Sequence, residues 1–340
     1  MTSTEISTAV RQLRDLSVSA ARSAALRAAV ELGLADAIGE DAVPLGELAA
    51  KVGVEPKPLR RLLRALTGHG VFEERPGPAF GHSEMSALLR EDAADSLRYL
   101  VLWSTEPWTW ELWPRLASSV RTGKPAFAEL HGGADFFGYL RRSAPESAAV
   151  LDRAMTQSSS ISERSIVDLI DLADGGVVAD ICGGRGHLLA ALLERYPRAE
   201  GVLFDTPEAI ADADERLTGP FADRAVLVGG DCRVEIPVKA DLYVLKNILE
   251  WDAENAIATM RNVCAAGGAG KRVVVIGNMV DASPEVGFTT AIDLLLLLNV
   301  GGGRRTTAEV KGLVERGGLK VLGCRPVDAY LAMFDCVVDG

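Results

Sequence analysis

The run Val177-Val178-Ala179-Asp180-Ile181-Cys182-Gly183-Gly184-Arg185-Gly186-His187-Leu188-Leu189 passes from a short apolar stretch through three glycines into a leucine-rich helical pattern. Glycines at a strand-to-helix turn let a ligand approach the backbone and face it with the free amides of the helix start. The stretch therefore predicts a strand, a nucleotide-like binding loop and a helix. Read from Gly184, a G-x-G-x-x-G pattern needs a third glycine at position 189, where the chain has Leu189. That counts against a dinucleotide site and the nicotinamide oxidoreductase it would serve. No G-x-x-x-x-G-K-[S/T] occurs, which excludes a P-loop.

Outward from this run, short apolar stretches at 201–204, 225–228, 242–245, 273–276, 320–323 and 329–338 alternate with helical stretches. With 177–181 they predict an open, doubly wound, mostly parallel seven-stranded α/β sheet. Asp180 lies in the first strand, Asp205 ends the second, and Asp231 follows the third. All three gather on one rim, where open sheets of this kind bind ligands. Each acid alone reads equally as a turn or cap residue. Together they disfavour a polyphosphate and suit a ligand carrying an amine, a ribose and an adenine, because a carboxylate accepts hydrogen bonds from an amine and from both ribose hydroxyls. S-adenosylmethionine meets all three requirements.

The first part of the chain reads as helical. Val18, Ala21, Ala25, Ala29 and Leu32 recur at helical spacing and predict one long helix over 17–38. Pro44 to Val54, a glycine turn, a helix from Pro58 carrying leucines and arginines, and a hairpin over 70–82 give the pattern of a winged helix-turn-helix. From 92 to 165 the helical pattern is broken repeatedly by proline and glycine. Four of the five tryptophans, Trp103, Trp108, Trp110 and Trp113, fall there, either as core or as the wall of an aromatic pocket. The domain division is placed at 160: a helical, winged-helix dimerisation and substrate-lid domain over 1–160, and a cofactor-binding Rossmann-like domain over 161–340.

The 340 residues are 48% hydrophobic and 24% charged, a composition of folded globular chains. The net charge of -11 makes nucleic acid a poor partner. The longest apolar stretch, over 291–300, is interrupted by Asp293 and Asn299 and is about half the length of a membrane-crossing helix. The N-terminus is too polar for a secretory signal, so a cytoplasmic protein is expected. The five cysteines are widely spaced and read as small buried hydrophobes, with no metal site and no disulfide framework.

On these residues the chain resembles, over about 15–336, the actinobacterial and plant family of S-adenosylmethionine-dependent O-methyltransferases. The pieces that carry the likeness include Asp180 with Gly183-Gly184-Arg185-Gly186-His187, Arg195-Tyr196-Pro197, Asp205-Thr206-Pro207, Gly230-Asp231, Lys246-Asn247-Ile248-Leu249 and Gly301-Gly302-Gly303-Arg304-Arg305-Thr306. The resemblance implies a homodimer formed through the N-terminal domain. It also implies that Asp180, Gly183, Gly184 and Gly186 hold the methionine part of the cofactor. Asp205 and Thr206 would take the ribose, Asp231 and Cys232 the adenine region, and Lys246 would line the same pocket, with S-adenosylhomocysteine as product. Trp103, Trp108, Trp110, Met155, Ser159, Met279, Asp293 and Asn299 fall in segments that face the acceptor in similar enzymes. That acceptor is expected to be an aromatic or polyketide-derived intermediate of natural-product, including antibiotic, biosynthesis.

The catalytic position departs from the family's pattern. The family follows its lysine with Leu-His-Asp-Trp-Asp, whereas this chain reads Leu249-Glu250-Trp251-Asp252, one residue short and without the histidine that serves as base. The glutamates that flank that histidine in plant members have Gly277 and Arg304 as counterparts. Glu250 is the candidate base, although a carboxylate near pKa ~4.3 is poorly matched to a phenol near ~10 unless burial raises it. Two alternatives remain: positioning dominates for an acceptor that is already ionised, or the chain is a non-methylating member acting as a hydroxylase, decarboxylase or cyclase. His187 is expected at the helix start, His69 and His82 on the winged-helix surface, and His131 either structural or facing the acceptor. The rival of another class is a DNA-binding regulator using Lys51, Lys57, Arg60, Arg61 and Arg64.

Overall fold

The computed structural model describes residues 7–173, 175–283, 286–328 and 330–340, apart from the side chains of Ser160 and Ile161. The chain gathers into two compact units, one of residues up to Trp110 with Ala144–Ser158, the other of Glu111–Ser143 with Ser159–Gly340. The path therefore crosses between units three times, whereas the sequence suggested one division at 160.

In the first unit the long helix expected over 17–38 is two, Ser19–Glu31 and Leu34–Ala37, preceded by helix Thr8–Ser17. The last break falls at Gly33, whose φ of +64° lies in the left-handed region that glycine adopts without strain. Helices Leu45–Lys51 and Pro56–Thr67 follow, the latter burying Leu59, Leu63 and Leu66 at i, i+4 and i+7. A three-stranded sheet of β1 (Val43–Pro44), β2 (Phe72–Arg75) and β3 (Ala79–His82), in the order β1-β3-β2, completes the winged helix. Arg60 and Arg64 both pair with Glu74 at 3.8 Å, and Lys51 pairs with Glu47. His69 is exposed. His82 is not: half-buried, it bonds Ser86 Oγ and the Ile38 carbonyl, both at 3.0 Å, and so staples the hairpin to the helices. Helix Thr8–Ser17 buries none of its residues, and Leu13 and Leu16 stand 70% and 71% exposed.

The second unit is built on strands β4 (Val177–Ile181), β5 (Glu200–Asp205), β6 (Ala225–Gly229), β7 (Leu242–Lys246), β8 (Arg272–Gly277), β9 (Leu319–Pro326) and β10 (Ala332–Val338). Their order is β6-β5-β4-β7-β8-β10-β9. β4 to β8 run parallel, and β10 is antiparallel to both its neighbours. The first residue of the predicted last strand, 329, lies outside the described residues. β4 is flanked by β5 on one side and β7 on the other, so the strand order reverses at its carboxyl end and opens a crevice there. Fully buried β-branched residues such as Val178, Val244, Val273, Val274 and Val275 leave no polar face, as a sheet covered on both sides requires. Among the described residues no helix is long and apolar enough to cross a membrane.

Candidate active site

The loop after β4 is shaped by three left-handed residues, Cys182 (φ 58°), Gly184 (φ 60°) and Gly186 (φ 78°). Gly183 is required for another reason: a Cβ there would collide with the Asp180 carboxylate. At Gly186 it would stand 2.6 Å from Leu217. The loop is held from outside by Arg185, whose Nε donates to the Asp212 carbonyl at 2.5 Å, and by His187, whose Nδ1 lies 2.6 Å from Asp214 Oδ2. His187 thus fixes the start of helix His187–Arg195, as its place in the sequence suggested. Asp214 also takes the Arg216 fork, and its carboxyl is held down at about 2 even though burial pushes the other way.

Asp180 is 1% exposed, and neither of its oxygens has a hydrogen-bond partner. The Leu189 amide eases its charge without closing a bond of normal geometry. Burial pushes the Asp180 carboxyl up to about 7, opposed by the Lys246 ammonium at the end of the neighbouring strand. Burial in turn pushes Lys246 down, while Asp180 and Glu250 hold it up; its Nζ donates to Ser159 Oγ at 2.9 Å. Across the crevice, Asp205 accepts from Gly184 N–H at 2.8 Å and from Thr206 N–H at 2.6 Å. Each of its oxygens keeps a lone pair for a further donor. Burial raises the Asp205 carboxyl despite these amides.

Asp231 differs from the other two acids. Arg233 grips both its oxygens, with Nη2 at 2.8 Å from Oδ2, and holds its carboxyl down. The expectation for the cysteines also needs correction: Cys182 and Cys232 do not stand apart but lie side by side, with Cα atoms 6.9 Å apart, bringing the loop after β4 against the loop after β6. Cys324 is exposed and Cys264 partly so; of the three other thiols only Cys336 is the buried hydrophobe expected. Sequence separations of 50 residues conceal such a contact.

The acceptor-side candidates of this unit gather around a second feature. Glu250, in the turn Ile248–Glu250 after β7, pairs through Oε1 with Arg304 Nη1 at 3.0 Å. Arg304 in turn gives its backbone N–H to Asp293 Oδ1 at 2.6 Å. Burial raises the Glu250 carboxyl, with Arg304 and then Lys246 opposing. The turn is clasped by the 301–305 loop: Gly303 N–H donates to the Glu250 carbonyl at 3.0 Å, and the Arg305 guanidinium reaches the Leu249 and Trp251 carbonyls. Met279, buried at the end of β8, pairs with Arg305 in an isolated parallel bridge. Asn299 closes helix Val286–Asn299 and is buried. The sequence pointed to Arg304 as the counterpart of a flanking glutamate, and to Arg305 only as part of a motif. The groups their guanidinium ends reach in the turn after β7, Glu250 and the Leu249 and Trp251 carbonyls, lie more than fifty residues away, a distance that no local pattern spans.

The remaining candidates, Trp103, Trp108, Trp110 and Met155, belong to the first unit. Trp103 is buried against Trp108 with ring centroids 5.2 Å apart, Trp110 Nε1 donates to the Thr105 carbonyl at 3.2 Å, and Met155 is exposed. His131, in the second unit, stacks between Phe127 and Tyr139 with both centroids at 4.3 Å and so packs as part of an aromatic cluster.

A buried carboxylate without a partner beside a glycine cradle fits an ammonium group, and Asp205 fits ribose hydroxyls. The profile of an O-methyltransferase domain matches residues 113–320, and that of an O-methyltransferase dimerisation domain matches residues 15–92. The chain belongs to the O-methyltransferase family. A mitomycin biosynthesis 6-O-methyltransferase of Streptomyces lavendulae is 33% identical over 320 residues, 93% of this chain and 91% of the relative. A phenazine-1-carboxylate N-methyltransferase of Pseudomonas aeruginosa is 33% identical over 303 residues, 88% and 89% of the two chains. The crystal structure of NcsB1, an O-methyltransferase from neocarzinostatin biosynthesis in complex with S-adenosylmethionine and 2-hydroxy-5-methyl naphthoic acid, superimposes with a TM-score of 0.81 at 30% identity. It covers 99% of this chain and 100% of that one. This O-methyltransferase family member is an S-adenosylmethionine-dependent methyltransferase, and S-adenosylmethionine is its cofactor.

Proposed function

We propose that this methyltransferase transfers the methyl group to an oxygen of an aromatic or polyketide-derived small molecule in natural-product biosynthesis, with placement of the acceptor dominating over base catalysis. The observation that carries this reading is the Glu250–Arg304 ion pair, which involves the turn after β7 where this chain lacks the histidine base of the resembling enzymes. Burial raises the Glu250 carboxyl, as a base would need, but the Arg304 guanidinium that engages its Oε1 opposes that rise and competes with an acceptor proton for the oxygen. In-line placement alone lowers such a barrier by about 7 kcal/mol or more.

S-adenosylmethionine supplies an electrophilic methyl group on a sulfonium. Asp180 would hold its amine, the Gly183–Gly186 turn its carboxylate end, and Asp205 with Thr206 its ribose. The turn around Asp231 and Cys232 would border the adenine. Ser159, Met279, Asp293 and Asn299 would border the acceptor. The dimerisation domain supports a homodimer, with the exposed apolar face of helix Thr8–Ser17 in its interface.

A second reading, transfer to nitrogen, is favoured by the Pseudomonas aeruginosa relative, which is named as an N-methyltransferase. The test is calorimetric titration of S-adenosylmethionine followed by a panel of phenols, aromatic acids and aromatic amines, with S-adenosylhomocysteine release followed by mass spectrometry. Release with hydroxyl acceptors supports the first reading. Release with amines alone supports the second, and tight binding without any release favours a non-methylating member.

A further inference from the structure

Arg304 carries more than its pairing with Glu250 explains. Its side chain is only 10% exposed, and its Nε is buried with no hydrogen-bond partner. Leaving a buried donor unmade is costly, so an orphaned one marks a place where a ligand atom completes the bond. The orphan is not isolated. The Oδ1 atoms of Asn278 and Asn299 are also buried without partners. These residues sit at the end of β8 and at the end of helix Val286–Asn299, the two segments that meet the Arg304 loop through the Met279 bridge to Arg305 and the Asp293 bond to Arg304 N–H. A donor on a cation and two amide oxygens are thus left unpartnered on the Arg304 loop and on the two segments joined to it.

The charged groups around Arg304 are Glu250 on the turn after β7, Asp293 on the helix, Lys246 at the end of β7, and Arg305 beside it. Glu250 occupies Nη1 and so orients the guanidinium plane, while the buried Nε–H is left without a partner. A guanidinium is a permanent cation, and a cation in hydrogen-bond contact with a hydroxyl favours its ionised form.

We infer that Arg304 docks the acceptor's reacting oxygen on its Nε–H and holds it as the oxyanion, taking the place of a general base. This rests on the O-methyl reading proposed above. The acceptor O–H bond breaks at equilibrium, and its proton passes to solvent. The oxyanion lone pair then forms the O–CH3 bond while the C–S bond breaks and its electron pair stays on sulfur, giving a neutral thioether. One proton is released per turnover, and no side chain need accept it. Asn278 and Asn299 would face polar hydrogens elsewhere on the acceptor.

The spectroscopic test uses 4-nitrophenol as probe, with the protein saturated in S-adenosylhomocysteine. The wild type is expected to show the phenolate band at a pH at least about one unit below that of free 4-nitrophenol. Arg304→Gln should return the transition to its free position, and Arg304→Lys, which keeps the cation, should retain part of the shift. Because Arg304→Gln strands Glu250, the Glu250→Gln/Arg304→Gln double variant is run beside it, with cofactor affinity as the check on folding. A wild-type spectrum equal to that of free probe, or one unchanged in the double variant, overturns the inference. Failure of the underlying reading shows separately: no S-adenosylhomocysteine release with any hydroxyl acceptor sinks O-methylation, whereas release with a pH profile unaltered by Arg304→Gln sinks only the role of Arg304.

Discussion

The backbone N–H of Gly303 donates to the carbonyl of Glu250 at 3.0 Å, so the turn after β7 and the loop after helix Val286–Asn299 are held as one piece. Neighbouring Gly302 makes that approach achievable, since a Cβ at its position would overlap the Glu250 carbonyl. Gly302→Ala is therefore expected to displace Glu250 and Arg304 together. Turnover should fall by about a hundredfold, the scale of a 1 Å misplacement, while affinity for S-adenosylmethionine changes little. Parallel measurement of kcat and cofactor Kd checks this; loss of both together would contradict it.

Asp180 makes a prediction about pH. Its folded pKa of about 7 lies above the ordinary carboxylate value, so the folded state disfavours its charge. The contribution of this group to stability is fully present below about pH 4, is lost as pH rises toward 7, and stays lost above. Ligand-free Asp180→Asn should accordingly gain thermal stability over wild type at pH 8 and gain none at pH 4. Cofactor binding should run the other way: affinity rises with pH toward 7 in the wild type and is low and flat in Asp180→Asn. Melting curves and calorimetry across this range decide the matter.

Glu250 and Arg304 should be coupled in stability. Removing one partner of a buried pair leaves an uncompensated charge and costs about 3 kcal/mol or more. Glu250→Gln and Arg304→Gln are each expected to destabilise by that order, and the double variant by less than their sum. Urea unfolding of all four proteins supplies the cycle. Additive effects would mean that the pair is not formed in solution.

The proposed homodimer has a simple check. Leu13→Asp with Leu16→Asp places charges on the exposed apolar face of helix Thr8–Ser17, where no intrachain packing is lost. The variant is expected to keep its secondary structure and to sediment as a monomer where the wild type sediments as a dimer. A variant that remains dimeric would move the interface elsewhere.

The acidic rim at the strand ends was legible because strand ends, glycine turns and acids are local patterns. Asp180, Gly184 and Asp205 follow from the periodicity of two adjacent segments, and the structure joins them by a single 2.8 Å bond between Gly184 and Asp205. His82 was misplaced because a hairpin pattern does not disclose what packs over it; Ile38, 44 residues away, supplies the carbonyl. The helix over 17–38 was drawn too long because alanine-rich periodicity masks a left-handed Gly33. The Glu250–Arg304 pair spans 54 positions and has no periodic signature.

By itself the sequence determined the sheet and its parallel order, the glycine turn, and the rim on which the acids meet. These depend on hydrophobic period and backbone conformation, which neighbouring residues set. Only the tertiary structure decided which acid stays unpaired and which is neutralised. Burial leaves Asp180 without a partner, whereas Arg233 takes Asp231 and Arg304 takes Glu250. Desolvation and charge pairing act through space, between segments that the fold alone brings together.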